Sequence, residues 1–274
     1  MSFRDLTPGE ALVLLDPNKS QGKEAVKVSL MWLLAKKHLT ASLEDRPGFW
    51  GQFLSKKTYL RTDGNVPADL PADLRAVRSL AMRAGAMDEF ITAARAEYGT
   101  ELNGFVQQII IPSLMRRGLL EARTDTVLFV FPRTRYFRTP TGEASQQNIE
   151  KLMMQAREIP DFLDRSPAQA AAVVASLGAL VLIMPELRSH FSGIADAMRR
   201  RHTTDSSYVS DSSGGLSSSS SSPATEDKPF EFEAFDAAGF ETFDASMSAL
   251  DSGFDAASSG GDGGGGDGGG GGGD

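Results

Sequence analysis

The chain has 274 residues, is 41% hydrophobic and 23% charged, and contains no cysteine. That length suits one domain of about 200 residues plus an appendage, and disulfide or thiolate chemistry is excluded. The net charge of −8 hides a division: residues 1–202 carry 27 Lys+Arg against 22 Asp+Glu, and residues 203–274 carry one Lys against 14 acids.

Thr7-Pro8-Gly9-Glu10 is a capping box, with Thr7 as N-cap, Pro8 at the first helical position and Glu10 at the third. It opens a short apolar helix over residues 11–15, and Asp16-Pro17-Asn18 starts a turn. The spacing of Val26, Leu30, Leu33 and Leu34 predicts a second helix over residues 23–37. It ends in Lys36-Lys37-His38 and leads into a short strand over residues 39–43. Residues 44–73, with several prolines, are expected to be irregular. Two helices follow, over residues 74–86 and 87–98, and residues 99–104 connect them to an apolar helix over 105–115. Pro112 predicts a kink or a late start in that helix.

The next stretch organises the rest. Gly118 stops the helix, a short strand follows, and Thr124-Asp125-Thr126 reads as the turn of a β-hairpin. Five apolar β-formers, Val127, Leu128, Phe129, Val130 and Phe131, form the second strand and end at Pro132. Around them stand Arg116, Arg117, Arg123, Arg133, Arg135 and Arg138. Two roles are open to such a ribbon: it can meet an anionic surface, or it can cover the core of its own domain with solvated arginines around it.

Helices are predicted over residues 144–158, 168–184 and 186–201. The run 168–184 is Ala- and Gly-rich and is interrupted only by Gln169 and Ser176. It reaches about the minimum length of a membrane span, yet Ser166-Pro167 caps it and Pro185 closes it, as in a buried central helix. The buried reading is preferred. No signal-peptide core follows Met1-Ser2-Phe3-Arg4-Asp5, and the absence of cysteine fits a cytoplasmic, reducing compartment.

From residue 203 the composition turns to Ser and Gly runs, which bury too little apolar surface to offset ordering entropy, so residues 203–274 are expected to be a disordered acidic tail. Within it phenylalanines alternate with acids: Phe230-Glu231-Phe232-Glu233, then Phe235-Asp236, Phe243-Asp244 and Phe254-Asp255. Such a segment either solubilises the chain or docks on a basic, apolar groove of a protein partner.

Enzyme signatures are largely missing. His38, His190 and His202 are far apart and each near a predicted helix end, where a histidine more often complements the helix dipole than ligates a metal. Metal-helix, EF-hand and nucleophile-elbow spacings are absent. The segment Asn18-Lys19-Ser20-Gln21-Gly22-Lys23-Glu24 lacks the first glycine, the hydroxyl after its lysine and the preceding strand of a phosphate-binding loop. The expectation is a protein without catalytic residues, metal or cofactor.

Three pieces, in order, resemble the Golgi phosphoprotein 3 family. They are Leu6-Thr7-Pro8-Gly9-Glu10-Ala11-Leu12-Val13-Leu14-Leu15, the helix with its basic end from Val26 to Leu39, and Leu114-Met115-Arg116-Arg117-Gly118-Leu119-Leu120 with its hairpin. The similarity spans residues 6–200. It implies a helical domain with a protruding hairpin, acting as a peripheral adaptor that binds phosphatidylinositol 4-phosphate, on the Golgi face in a eukaryote. Lys27 keeps the charge of a family arginine, whereas Gly104 and Gln107 stand where two more are expected, and no tryptophan stands near Asn18. What the resemblance then implies is contact with anionic lipid in general.

The expected fold is therefore mainly α: a compact helical domain over residues 6–202 with a protruding β-hairpin, then the tail. The expected function is a non-enzymatic peripheral membrane adaptor. Lys27, Arg116, Arg117, Arg133 and Arg135 would bind headgroups, and Val127, Leu128, Phe129, Val130 and Phe131 would insert or self-associate into a homo-oligomer. The alternatives are a winged-helix-like nucleic-acid binder, disfavoured by the apolar helix ahead of the hairpin, and a regulatory module whose own tail covers the basic surface.

Overall fold

The computed structural model describes residues 5–47, 54–62, 69–127 and 131–166, part of the stretch 169–194, and Ser252. The described chain is mainly helical with two antiparallel hairpins. Helix α1 (Pro8–Leu15) begins with the capping box: Thr7 Oγ1 accepts from Glu10 N, and Glu10 Oε2 accepts from Thr7 N. Helix α2 (Gly22–Ala35) is buried on most sides, with Val26, Leu30 and Leu33 fully enclosed. Helices α3 (Ala72–Ala84) and α4 (Met87–Tyr98) meet at Gly85, whose φ of 73° is a left-handed cap that favours glycine.

The region expected to be irregular holds a strand. Strand β1 (Thr40–Pro47) pairs with β2 (Leu54–Arg61), and the register sets Glu44 opposite Lys57 and Asp45 opposite Lys56. Opposite charges facing across a ladder favour that register, but in the sequence they hide the apolar alternation that marks a strand. Among the described side chains of β2, Thr58 and Leu60 reach the interior deeply, at 7% and 4% exposure.

The apolar helix before the second hairpin starts as a turn, α5 (Asn103–Phe105), widens into a π-helical stretch (Val106–Ile110), and continues as α6 (Ile111–Arg116). Pro112 has no N–H and crowds the carbonyl one turn back. The wider turn just ahead of it, with Ile111 N donating to Val106 O, accommodates both effects.

Strand β3 (Leu120–Val127) pairs with β4 (Phe131–Arg138) in a register that corrects the expected turn. Thr124 lies opposite Thr134 and Asp125 opposite Arg133, so Thr124-Asp125-Thr126 is strand, and the ladder continues to Val127 opposite Phe131. Polar composition suggested a turn there. β-branched threonines and an oppositely charged partner suit a ladder equally well.

Helices α7 (Pro140–Ala156), capped by Thr139, and α8 (Ile159–Arg165) follow. The apolar run expected as one helix ends as a 3-10 helix (Gly178–Ile183), with Met184 extended before Pro185. Proline disfavours helical geometry in the residue ahead of it, and the tighter helix buries Leu180, Val181, Leu182 and Ile183 in succession. Among the described residues no helix is long and apolar enough to cross a membrane. In place of one helix over 186–201, a short helix covers Pro185–Arg188, His190 lies in a turn, and residues 193–194 are helical again. The expected tail, residues 203–274, lies outside the described residues apart from Ser252.

One apolar core joins these elements, with Phe90, Phe105, Leu14, Leu30, Leu80 and Leu114 among its fully buried side chains.

Candidate functional site

The site is the root of the β3–β4 hairpin, where three chain segments fix the ribbon to the body. Gly118 supplies the left-handed turn out of α6, at φ 70°, and its N–H donates to Met115 O. Thr139 Oγ1 donates to Gly118 O at 2.6 Å and Thr139 N donates to Leu119 O, closing the ribbon's base. Helix α7 approaches so closely that a Cβ on Gly142 would lie 2.1 Å from Leu119 O.

On the other side, Arg138 Nε donates to Leu14 O at 2.7 Å and its Nη2 to Leu15 O, taking up carbonyls that the end of α1 leaves open. Asn18 completes the clamp by acting as a short strand: its Nδ2 donates to Tyr136 O at 2.8 Å, and its Oδ1 accepts from Tyr136 N at 3.0 Å.

Beneath the root lies a buried polar hub. Glu10, 2% exposed, accepts from Ser113 Oγ at 2.7 Å and pairs with Arg117 Nη1. Arg117 Nη2 also donates to Asp5 O at 3.0 Å. Thr7 Oγ1 donates to Asp73 Oδ2 at 2.5 Å while accepting from Glu10 N. Burial pushes the Asp73 carboxyl up to about 6, the Thr7 hydrogen bond pulls the other way, and the Glu10 charge pushes up again.

The expected headgroup residues separate into two groups. Lys27 is 3% exposed on α2, and Arg117 is held inward by Glu10 and Asp5, so neither offers its charge to the surface. Arg116 and Arg135 are exposed. Of the rest, Leu128, Phe129 and Val130 lie outside the described residues, as do the side chains of Val127, Phe131 and Arg133, although Val127 and Phe131 close the ladder and Arg133 stands in β4.

Among the described side chains of the ribbon, Ala122, Thr124 and Thr134 are exposed on one face and Arg123 and Arg135 on the other, while Tyr136, opposite Ala122, rests partly buried against the core. Arg123 pairs with Glu121 and stands over the Phe137 ring, 4.9 Å from its centre. Arg135 makes no ion pair among the described residues. Phe137 and Met115, at 36% and 40% exposure, add apolar surface near the root.

Sequence reasoning missed Asn18 and Asp73 as parts of this site. Glu10 was legible only as a cap, because its partners Ser113 and Arg117 are more than a hundred residues away. His38 sits at the far end of α2 against Trp32, ring centres 5.5 Å apart, and burial, with Arg78 and Lys36 nearby, holds its pKa down. Among the described residues no three His, Asp or Glu side chains form a group able to hold a metal. No family model, curated protein or solved structure matches this chain.

Proposed function

We propose that the protein is a peripheral membrane adaptor that contacts anionic lipid through the β3–β4 hairpin. The observation that carries this reading is the exposure of Ala122, Arg123, Thr124, Thr134 and Arg135 on both faces of the ribbon, with Tyr136 near the root resting on the core; a hairpin covering the core would bury one face along its length. Strands of eight residues carry Val127 and Phe131 roughly 24 Å along the ribbon from Leu120 and Arg138. The clamp of Asn18, Arg138 and Thr139 holds the ribbon in one orientation, as an inserting element requires. Arg116, Arg123 and Arg135 supply charge near the surface, each worth about 1 kcal/mol at an anionic membrane. The order of motifs shared with the Golgi phosphoprotein 3 family supports the same reading, with a phosphoinositide as one headgroup of this class. The helix ahead of the hairpin turns Phe105, Ile110 and Leu114 inward and exposes Gln107, Gln108 and Met115, which is not the cationic face that nucleic-acid recognition needs.

Vesicle flotation of the full chain tests the proposal. Flotation should depend on anionic lipid and be lost when Phe129 and Phe131 are both changed to Ser. Equal flotation on neutral vesicles, or none on anionic ones, overturns it.

A further inference from the structure

Each hairpin presents two outer edges, and the structure treats them unequally. The outer edge of β2 is covered, since Leu60 N donates to Gly85 O at 2.9 Å and Tyr59 bridges Ala86. The outer edge of β4 is taken at Tyr136 by Asn18. Among the described residues, β1 and β3 keep open edges.

The backbone fixes which groups of β3 are available. Both polar groups of Tyr136 turn away from β3 toward Asn18, so Tyr136 and Ala122 form a non-hydrogen-bonded pair. Ala122 therefore turns its own N–H and C=O outward on the opposite side, and alternation does the same for Thr124. An unpaired row of this kind is a template for another strand.

Charge separates the two open edges. Edge strand β1 carries Glu44 and Asp45, and the cations across from it are engaged: Lys57 with Asp88 and Glu89, Arg61 with Glu44. On the other hairpin Arg123 and Arg135 stand directly opposite each other, both exposed; Arg123 pairs with Glu121 of its own strand, and Arg135 makes no ion pair among the described residues. Like charges in that relation destabilise a ladder, and an anion placed between or beside them relieves the repulsion. Arg135 is therefore the cation left open to an acidic strand.

The chain itself holds a segment with the matching pattern. From Phe230 to Ala234 the residues alternate strictly, Phe230, Phe232 and Ala234 on one side of an extended strand and Glu231 and Glu233 on the other. Laid against β3, every second register sets both glutamates on the Arg123/Arg135 face and both phenylalanines on the Ala122/Thr124 face. A one-residue slip would reverse both matches, so the pattern specifies which face of the segment meets which face of the ribbon. The sequence between the last described body residue, Ile194, and Phe230 is rich in Ser, and a flexible chain of that length reaches roughly 30–35 Å. Tethering of this kind gives an effective concentration on the order of mM, enough to populate a contact too weak to form between separate molecules.

We propose that residues 230–234 of this chain add as a third strand to the open edge of β3, with Glu231 and Glu233 beside Arg123 and Arg135. The docked segment covers the cations that the membrane reading assigns to lipid, so tail and vesicle compete. That consequence rests on the membrane reading, and the docking does not.

Because the chain has no cysteine, one can be introduced without background. A nitroxide attached at Ala122→Cys in the full chain, without lipid, should broaden the amide signals of residues 230–234 far more than those of 262–274. The broadening should vanish in about 1 M salt, where the Debye length is about 3 Å. It should also vanish in the Arg123→Glu/Arg135→Glu variant and return when Glu231→Lys/Glu233→Lys is added. A nitroxide at Ser42→Cys on β1 should leave 230–234 sharp. Uniform broadening along the tail, indifference to charge reversal, or stronger broadening from β1 each overturns the docking. Failure of vesicle flotation leaves this readout untouched, so the two proposals fail separately.

Discussion

Asp73 holds the largest strain on a single group in the hub. Its carboxyl is enclosed, it faces the Glu10 charge, and the Thr7 hydroxyl donates to it. With the folded pKa raised from 3.8 to about 6, the native state binds more protons than the unfolded chain across that interval. Stability from this group is therefore fullest below about pH 4 and is lost as pH rises through 6, a total on the order of 3 kcal/mol. Asp73→Asn should remove that slope. Urea midpoints of both proteins between pH 4 and 7 check this: their difference should grow with pH and level off above the folded pKa, and a constant difference would contradict the assignment. Arg117 makes the opposite case, since it neutralises a buried Glu10. Arg117→Ala should cost about 3–5 kcal/mol by leaving that carboxylate unpaired, measured by denaturant unfolding at neutral pH.

At the scale of elements, the hairpin and the helices beneath it are held by contacts that a strand pattern does not contain. Asn18 replaces a strand at one edge of β4, and Arg138 caps α1. Asn18→Ala removes two hydrogen bonds at an exposed site, so global stability should fall by only about 1–2 kcal/mol. Exchange of the Tyr136 amide should accelerate much more than exchange in α2. Gly142→Ala forces a Cβ against Leu119 O and should loosen α7 from the ribbon's base, seen as faster exchange at Thr139 and Leu119. Unchanged exchange at these amides would mean the ribbon is held elsewhere.

Across the whole molecule, the basic body and acidic tail set a salt-dependent balance. If lipid contact runs through the exposed arginines, Arg116→Glu/Arg135→Glu should lower partition onto anionic vesicles by at least roughly thirtyfold at low salt, the equivalent of about 2 kcal/mol. The wild-type advantage should shrink as salt rises. An advantage independent of salt would point to apolar insertion alone.

Local signals carried much of this architecture. The capping box at Thr7, the periodic face of α2, the glycine stop at Gly118 and the boundaries of α4 depend on neighbours within a turn or two, so residues 7–10, 23–35, 87–98 and 118 declared themselves. The tertiary structure decided the rest. Strand β2 exists because it pairs with β1, its Lys57 finds Asp88 and Glu89 of α4, its Arg61 finds Glu44 of β1, and its edge finds Gly85. The second hairpin is fixed at its root by Asn18 and Arg138, and its register puts Val127 and Phe131, the two ends of the apolar run, in opposite strands. It also turned Lys27 and Arg117 from surface cations into interior ones. A sequence shows that a residue is charged, but whether that charge meets solvent or a buried carboxylate depends on which distant segment folds against it.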